Sequence, residues 1–351
     1  MAVSAQRGPV VLEETVEFAI RERGLTGVAL LHELQRPRRV EFERTGTAFT
    51  LRFSRPAADR LEYLLELCRG GGREVMPDPT NPLRAIGPFG EKSVIEFPGY
   101  EPPEWVLDNE APPGEVRELP LRSRRFRSTL PALLWSPADG DPHEPLPLLV
   151  VHDGPEYAQY SSLTRLLDHL VSFGETPDLR ALLLPPVVNR DEVYSASTRY
   201  ADALVAELLP AAVRHAPSGR QLVFLGASLG ALAALHAHVR HPELAAGLFL
   251  QSGSFFRPRF DAHEATLARF SRITRFVSRA HGRLPLAPPI PTVVTCGTAE
   301  ENLANNRALA AALDRRGWPV TTFWSRDAHN WTSWRDALHP LLAELLVRVW
   351  G

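Results

Sequence analysis

Gln221-Leu222-Val223-Phe224-Leu225-Gly226-Ala227-Ser228-Leu229-Gly230 is the stretch on which the fold of this chain turns. Leu222 to Leu225 have strand character, and Gly226 ends them. An alanine-rich helical run, Ala231 to Arg240, follows the second glycine at once. Strand, sharp turn and helix around a G-x-S-x-G pentapeptide are the signature of a nucleophile elbow. Glycines two before and two after Ser228 let strand and helix approach closely. The serine can then stand on a strained turn with its hydroxyl exposed. The pentapeptide alone is common by chance, so the reading depends on what surrounds it.

Outward from the elbow, strands alternate with helices, the pattern of a doubly wound, mostly parallel sheet. Upstream strands are expected at Leu130–Trp135, Leu146–Val151 and Ala181–Leu184, with helices at Ser161–Val171 and Thr198–His215. Downstream, strands are expected at Leu248–Leu250, Thr292–Thr295 and Val320–Trp324. Helices are expected at His263–Ser278, Asn302–Arg316 and Trp334–Val349. Ligands in such sheets bind beyond the carboxyl ends of the strands. The post-strand segments are His152-Asp153-Gly154, Asn189-Arg190-Asp191-Glu192, Gln251-Ser252-Gly253-Ser254, Cys296 to Asn302 and Arg326 to Trp331.

A serine hydroxyl attacks well only when a base takes its proton. In this topology the acid and then the histidine follow the serine along the chain. Of 12 histidines, only His329 and His339 come late enough, and His339 is expected inside the last helix. His329, in a post-strand turn, is the candidate base. Glu300 is the candidate acid. Glu301, Asp327 and a bare Ser–His dyad stay open, because a neighbouring acid can equally serve a helix N-terminus or a turn. An oxyanion hole needs backbone N–H donors, here Leu229 directly after the serine and Asp153 or Gly154 in the HDG turn. Trp331, beside the base, is read as a wall of the site. No HExxH, CxxC or Walker-type pattern occurs, so neither a metal nor another cofactor is expected.

The N-terminal third has a different texture. Residues 10–22 are expected to form a short amphipathic helix ended by Gly24. Short strand-like runs follow at Val28–Leu34, Val40–Glu43, Ala48–Phe53, Leu61–Cys68 and Ser93–Phe97, punctuated by glycine and proline. They suggest a small all-β sandwich. Six prolines between Pro98 and Pro120, with Trp105 among them, read as a stiff linker. The expected domains are 1–112 and 113–351. Across the 351 residues, the net charge of −2 gives no basic field for nucleic acid. Lys92 is the only lysine. No apolar run approaches the ~20 residues of a membrane helix. The N-terminus lacks the apolar core of a signal peptide, and the two cysteines, Cys68 and Cys296, need no disulfide, so a reducing cytoplasm is expected.

Taken together, HDG (152–154), NRDEVY (189–194), ELLP (207–210), GASLG (226–230), CGTAEENLANN (296–306) and DAHNWTSW (327–334) resemble an esterase group of α/β hydrolases. That group includes enterochelin-type siderophore esterases, S-formylglutathione hydrolases, feruloyl esterases and mycolyltransferases. Val40–Phe53, PDPTNP (77–82), GEKSVIEFPGY (90–100) and PPEWV (102–106) are similar to the Ig-like N-terminal domain of the enterochelin esterases. The resemblance implies an α/β hydrolase preceded by an Ig-like sandwich, with Ser228, His329 and the acid after the CGT turn as catalytic residues. It places Arg190 near the substrate entrance; the other reading of Arg190 is an ion pair with Asp191 or Glu192. Glu300 stands where relatives frequently carry aspartate. The implied substrate is a catecholate-siderophore trilactone or its ferric complex. A generic acyl or feruloyl ester stays an alternative, since the post-strand loops carry no dense Arg/Lys cluster. A hydrolase fold that binds without turnover is a third reading. The N-terminal module is expected to cap substrate or mediate a homodimer.

Overall fold

Residues 8–218 and 222–351 are described by a computed structural model, so Gln221, first residue of the elbow stretch, lies outside the described residues. The chain separates into two compact units. One takes the chain through Glu101 together with Gly297–Glu301 and Ser325–Ser333; the other holds Pro102–Cys296, Asn302–Trp324 and Trp334–Gly351.

The first unit is all β in its N-terminal stretch. A four-stranded sheet runs in the order Val10–Val11, Thr15–Ile20, Ala48–Ser54, Glu43–Thr45. A second sheet is built on Leu25–His32, Arg60–Arg69 and Gly90–Glu96, paired antiparallel. The helix expected over 10–22 is absent. Thr15–Ile20 is a strand whose Val16, Phe18 and Ile20 are buried while Glu17 and Ala19 are exposed. Alternation of period two, with Phe18 opposite Leu51, decides against the helix. The core joins Val16, Phe18, Leu30, Tyr63, Leu65 and Phe97. Phe18 meets Phe42 and Tyr63 edge-on at 5.8 and 5.3 Å, the orientation aromatic quadrupoles favour. The Tyr63 hydroxyl, which burial strips of water, donates to Asp78 Oδ2 at 2.9 Å, so the proline-rich 77–82 turn is tied to the core.

The second unit carries an eight-stranded sheet: β1 (Glu115–Ser123), β2 (Ser128–Ser136), β3 (Leu148–His152), β4 (Arg180–Leu184), β5 (Leu222–Ala227), β6 (Ala245–Gln251), β7 (Thr292–Gly297) and β8 (Val320–Ser325). Their order is β1-β2-β4-β3-β5-β6-β7-β8. The β1–β2 and β2–β4 pairs are antiparallel, and β4–β3, β3–β5, β5–β6 and β6–β7 are parallel. β3, β4 and β5 are buried along their whole length, as continuous Leu/Val runs in a two-sided sheet must be. The helix Leu229–Arg240 is alanine-rich, and every residue but Arg240 is buried, which suits a helix lying close against a sheet.

Three expectations shift. The run 263–278 is a short turn at Ala262–Glu264 followed by a helix at Phe270–His281. Trp105 lies in a single helical turn, Glu104–Leu107, and is buried. His339 is not inside the last helix: it sits in the turn between helices Trp331–Asp336 and Leu341–Trp350. Pro340, which follows it, cannot supply an N–H to continue the first of them. Among the described residues no helix is long and apolar enough to cross a membrane.

Candidate active site

Ser228 terminates β5 and stands directly before the helix Leu229–Arg240, with φ 55° and ψ −121°. That is a backbone region side-chain-bearing residues avoid, costing of the order of 1–3 kcal/mol. The surrounding glycines make it attainable. A Cβ on Gly226 would lie 2.6 Å from the Gly230 carbonyl carbon, so strand and helix backbones touch where the two glycines stand. The turn is held by backbone bonds: Ser228 N–H donates to Gln251 O at 2.9 Å, and Ser254 N–H to Ser228 O at 3.1 Å. The Ser228 hydroxyl lies 3.2 Å from that of Ser254. Leu229, at the first helical position, has an N–H for which the helix offers no acceptor.

The HDG turn after β3 lies in the same unit. Asp153 adopts a left-handed conformation, φ 53° and ψ 38°, and Gly154 opens the helix Gly154–Tyr160. Only glycine fits there, since a Cβ would stand 2.3 Å from Leu183 Cα. Asp153 is 3% exposed, and its carboxylate accepts from Arg190 Nε at 2.9 and 3.0 Å and from Arg190 Nη2 at 2.7 Å. The expected alternative partners of Arg190 were its neighbours, but Glu192 instead binds Arg269 and Arg272. Desolvation pulls the Arg190 pKa down, yet the charge and hydrogen bonds of Asp153 outweigh it and leave it raised. His152 is fully buried against Tyr194, Tyr200 and Phe224. Burial pushes it down to about 4, so it packs as a neutral ring.

Glu300 and His329 belong to the loop segments after β7 and β8. Glu300 is 1% exposed. Its Oε1 accepts the Gly297 N–H at 2.8 Å, and its Oε2 lies 2.8 Å from His329 Nδ1. An ionised carboxylate only accepts, so Nδ1 carries the proton and Nε2 is left as the basic nitrogen. The two loops are laced together: Thr298 N–H donates to Ser325 O at 2.7 Å and Ala299 N–H to Asp327 O at 3.1 Å. The other two acids are otherwise engaged. Glu301 pairs with Arg36 and Arg38 at 3.2 and 2.5 Å. Asp327 Oδ1 accepts from Ala328 N–H and Asn330 Nδ2 at 2.7 and 3.0 Å, and burial pushes its pKa up to about 7. Trp331 is half-buried, with its Cδ1 3.9 Å from where a Cβ on Gly87 would stand.

Supporting groups complete the surroundings of the elbow. Asn306 takes both backbone groups of Gly253, with Oδ1 accepting from its N–H and Nδ2 donating to its carbonyl, each at 2.9 Å. Gln251 accepts from the Tyr157 hydroxyl at 2.7 Å and donates to Trp334 O at 2.9 Å. Trp334 Nε1 donates to Ser252 Oγ at 3.0 Å. The paired asparagines of the CGTAEENLANN run were the one available signal, since an asparagine can satisfy both groups of a strained peptide.

A strained serine joining a buried parallel strand to a helix, in a sheet of this order, defines an α/β hydrolase. Residues 123–345 match the family model described as "Putative esterase". The chain belongs to this esterase family, and its activity is ester hydrolysis. Among relatives, it is 28% identical to Iron(III) enterobactin esterase of Escherichia coli O6:H1 over 84% of this chain and 72% of that one. Its fold matches the enterobactin esterase of Shigella flexneri, solved in the presence of 2,3-di-hydroxy-N-benzoyl-serine, with a TM-score of 0.75 at 20% identity, over 98% and 97% of the two chains. The ferric enterobactin esterase of Salmonella typhimurium gives 0.75 at 20% identity, over 97% and 96%.

Proposed function

We propose that this chain is a siderophore esterase that opens the ester bonds of a catecholate trilactone, free or as its ferric complex, through an acyl-enzyme on Ser228. The support for the substrate is the extent of the match to Iron(III) enterobactin esterase, which spans more of the chain than residues 123–345 hold. The observation that carries the chemistry is the Glu300–His329 hydrogen bond of 2.8 Å, which leaves Nε2 unprotonated for the serine.

In this reading Ser228 Oγ attacks the ester carbonyl while His329 Nε2 takes its proton. Glu300 orients the ring and stabilises the imidazolium without accepting the proton. The Leu229 N–H and the Asp153 or Gly154 N–H hold the oxyanion, each worth about 3 kcal/mol of transition-state stabilisation. The ester C–O bond breaks as His329 returns the proton to the leaving alkoxide. Water, deprotonated by the same nitrogen, then cleaves the acyl–Ser228 bond and releases the acid. Arg190 neutralises the Asp153 carboxylate beside the proposed oxyanion donors, and in this reading Trp331 walls the site. The ferric cargo suits the cytoplasm.

A fluorophosphonate probe should label Ser228 in the native protein and lose labelling in His329→Ala. Labelling of another serine would sink the assignment. Set against feruloyl and p-nitrophenyl esters, iron-loaded and iron-free enterobactin should show the higher kcat/KM. Preference for the feruloyl ester would overturn the substrate.

A further inference from the structure

The second unit holds a cluster that the esterase chemistry does not use. His169 lies in the last turn of the helix Leu163–Ser172, Glu175 just beyond that helix, and His339 in the turn before Leu341–Trp350. His169 Nε2 is 3.2 Å from Glu175 Oε1, and His339 Nε2 is 2.8 Å from Glu175 Oε2. One ligand atom from each of the three residues lies within 4.8 Å of the others. None of the three is fully exposed: their side chains are 17%, 35% and 28% accessible.

The backbone sets Glu175 in place before any ligand arrives. Gly174, at φ +66°, donates to Val171 O, and Glu175 N–H donates to Leu170 O at 2.9 Å. That pair of bonds is a Schellman closure, which turns the chain back over the end of its own helix. The His169 ring is fixed from the other side. Its Nδ1 lies 2.9 Å from Asp108 Oδ2, and the ring packs on Phe173 at 4.7 Å. A carboxylate on the remote ring nitrogen is what orients metal-binding histidines and raises their basicity.

We propose that His169 Nε2, His339 Nε2 and the Glu175 carboxylate form a zinc site, with Asp108 holding the His169 ring and water completing a tetrahedral shell. Two imidazoles and one carboxylate suit zinc. Calcium and magnesium, which take all-oxygen shells, are disfavoured. His339 stands 164 residues from Glu175, too far along the chain to make a recognisable motif, and no zinc chemistry at Ser228 is implied. The ion would tie the end of one helix to the turn that starts the C-terminal helix.

The test uses the untagged full chain, stripped with chelator and titrated with zinc sulfate by calorimetry. The expected result is one zinc per chain and a zinc-dependent rise in Tm. His169→Ala and His339→Ala should each weaken binding more than ~10-fold and abolish the Tm rise, and Asp108→Asn should weaken it by roughly 10- to 100-fold. Glu175→Gln keeps the size of the side chain and removes its charge, so it serves as the folded control if a histidine variant does not fold; it too should lose the Tm rise. Zinc binding of unchanged affinity in Glu175→Gln and the histidine variants, or no binding by the native chain, would overturn the site. Hydrolysis of a p-nitrophenyl ester by His169→Ala should stay at the native rate, separating this site from the esterase reading.

Discussion

Arg190→Met is the most informative single change. It removes the guanidinium that holds both oxygens of Asp153 at 2.7 to 3.0 Å and leaves a carboxylate that is 3% exposed without its counter-charge. Breaking a buried pair from one side costs 3–5 kcal/mol. The Arg190 side chain is 36% accessible, which places the loss near the lower end, about 3 kcal/mol. Asp153→Asn in the same background removes the stranded charge. The double variant should therefore recover part of the loss, with a coupling of at least ~1.5 kcal/mol. Catalysis should move with it: an unneutralised carboxylate beside the proposed oxyanion donors would oppose the developing alkoxide. The kcat of Arg190→Met should fall by roughly 10²–10³, the cost of losing one such donor, with KM nearly unchanged. Urea unfolding followed by tryptophan fluorescence, with steady-state kinetics on a neutral p-nitrophenyl ester, measures both. Additive single effects, or a raised KM at native kcat, would refute the clamp and make Arg190 a simple binding residue.

Four other outcomes are expected. Glu300→Gln should lower kcat by about 10⁴, as loss of the triad carboxylate does where it sets the tautomer. Asp327→Asn should leave kcat within a few-fold, and finding the reverse pattern would exchange their roles. Asp327→Asn should also change the pH dependence of stability. The Asp327 pKa is raised from 3.8 to about 7, so the folded state keeps a proton that the unfolded chain has released. Its contribution is present below pH 3.8 and lost as pH rises to 7; the variant should gain on the native protein across that window, as read by thermal melts. His236 has the opposite sign. It is 6% exposed, and burial lowers it from 6.5 to about 4. The unfolded chain takes up a proton first, and stability falls as pH drops from 6.5 to 4. His236→Gln should make that slope shallower by ~1.4 kcal/mol per pH unit; an unchanged slope would show that the ring is solvated.

What could be read without coordinates was whatever is written locally. The elbow was legible because a strand, two glycines flanking a serine and a helix are contiguous, and close packing at Gly226 permits no larger side chain. The alternation of strands and helices was legible for the same reason. The stretch 10–22 misled because a run so short fits periods of both two and 3.6 residues, and only pairing with Ala48–Ser54 decides between them. The sequence favoured Glu300 over Glu301 and Asp327 without separating them. All three are acids in post-strand turns, and only the folded loops put Glu300 on the His329 ring while arginines and turn amides take the other two.

Arg190 and the His169–Glu175–His339 cluster are the extreme cases. Asp153 lies 37 residues from Arg190, and Glu175 lies 164 from His339. No spacing rule reaches across such gaps. The sequence by itself determined which atoms can attack, accept and donate, because side-chain chemistry and backbone freedom belong to the residue. Which charge neutralises which carboxylate was decided only by the tertiary structure, because electrostatic pairing depends on distance and burial, and both are properties of the folded chain.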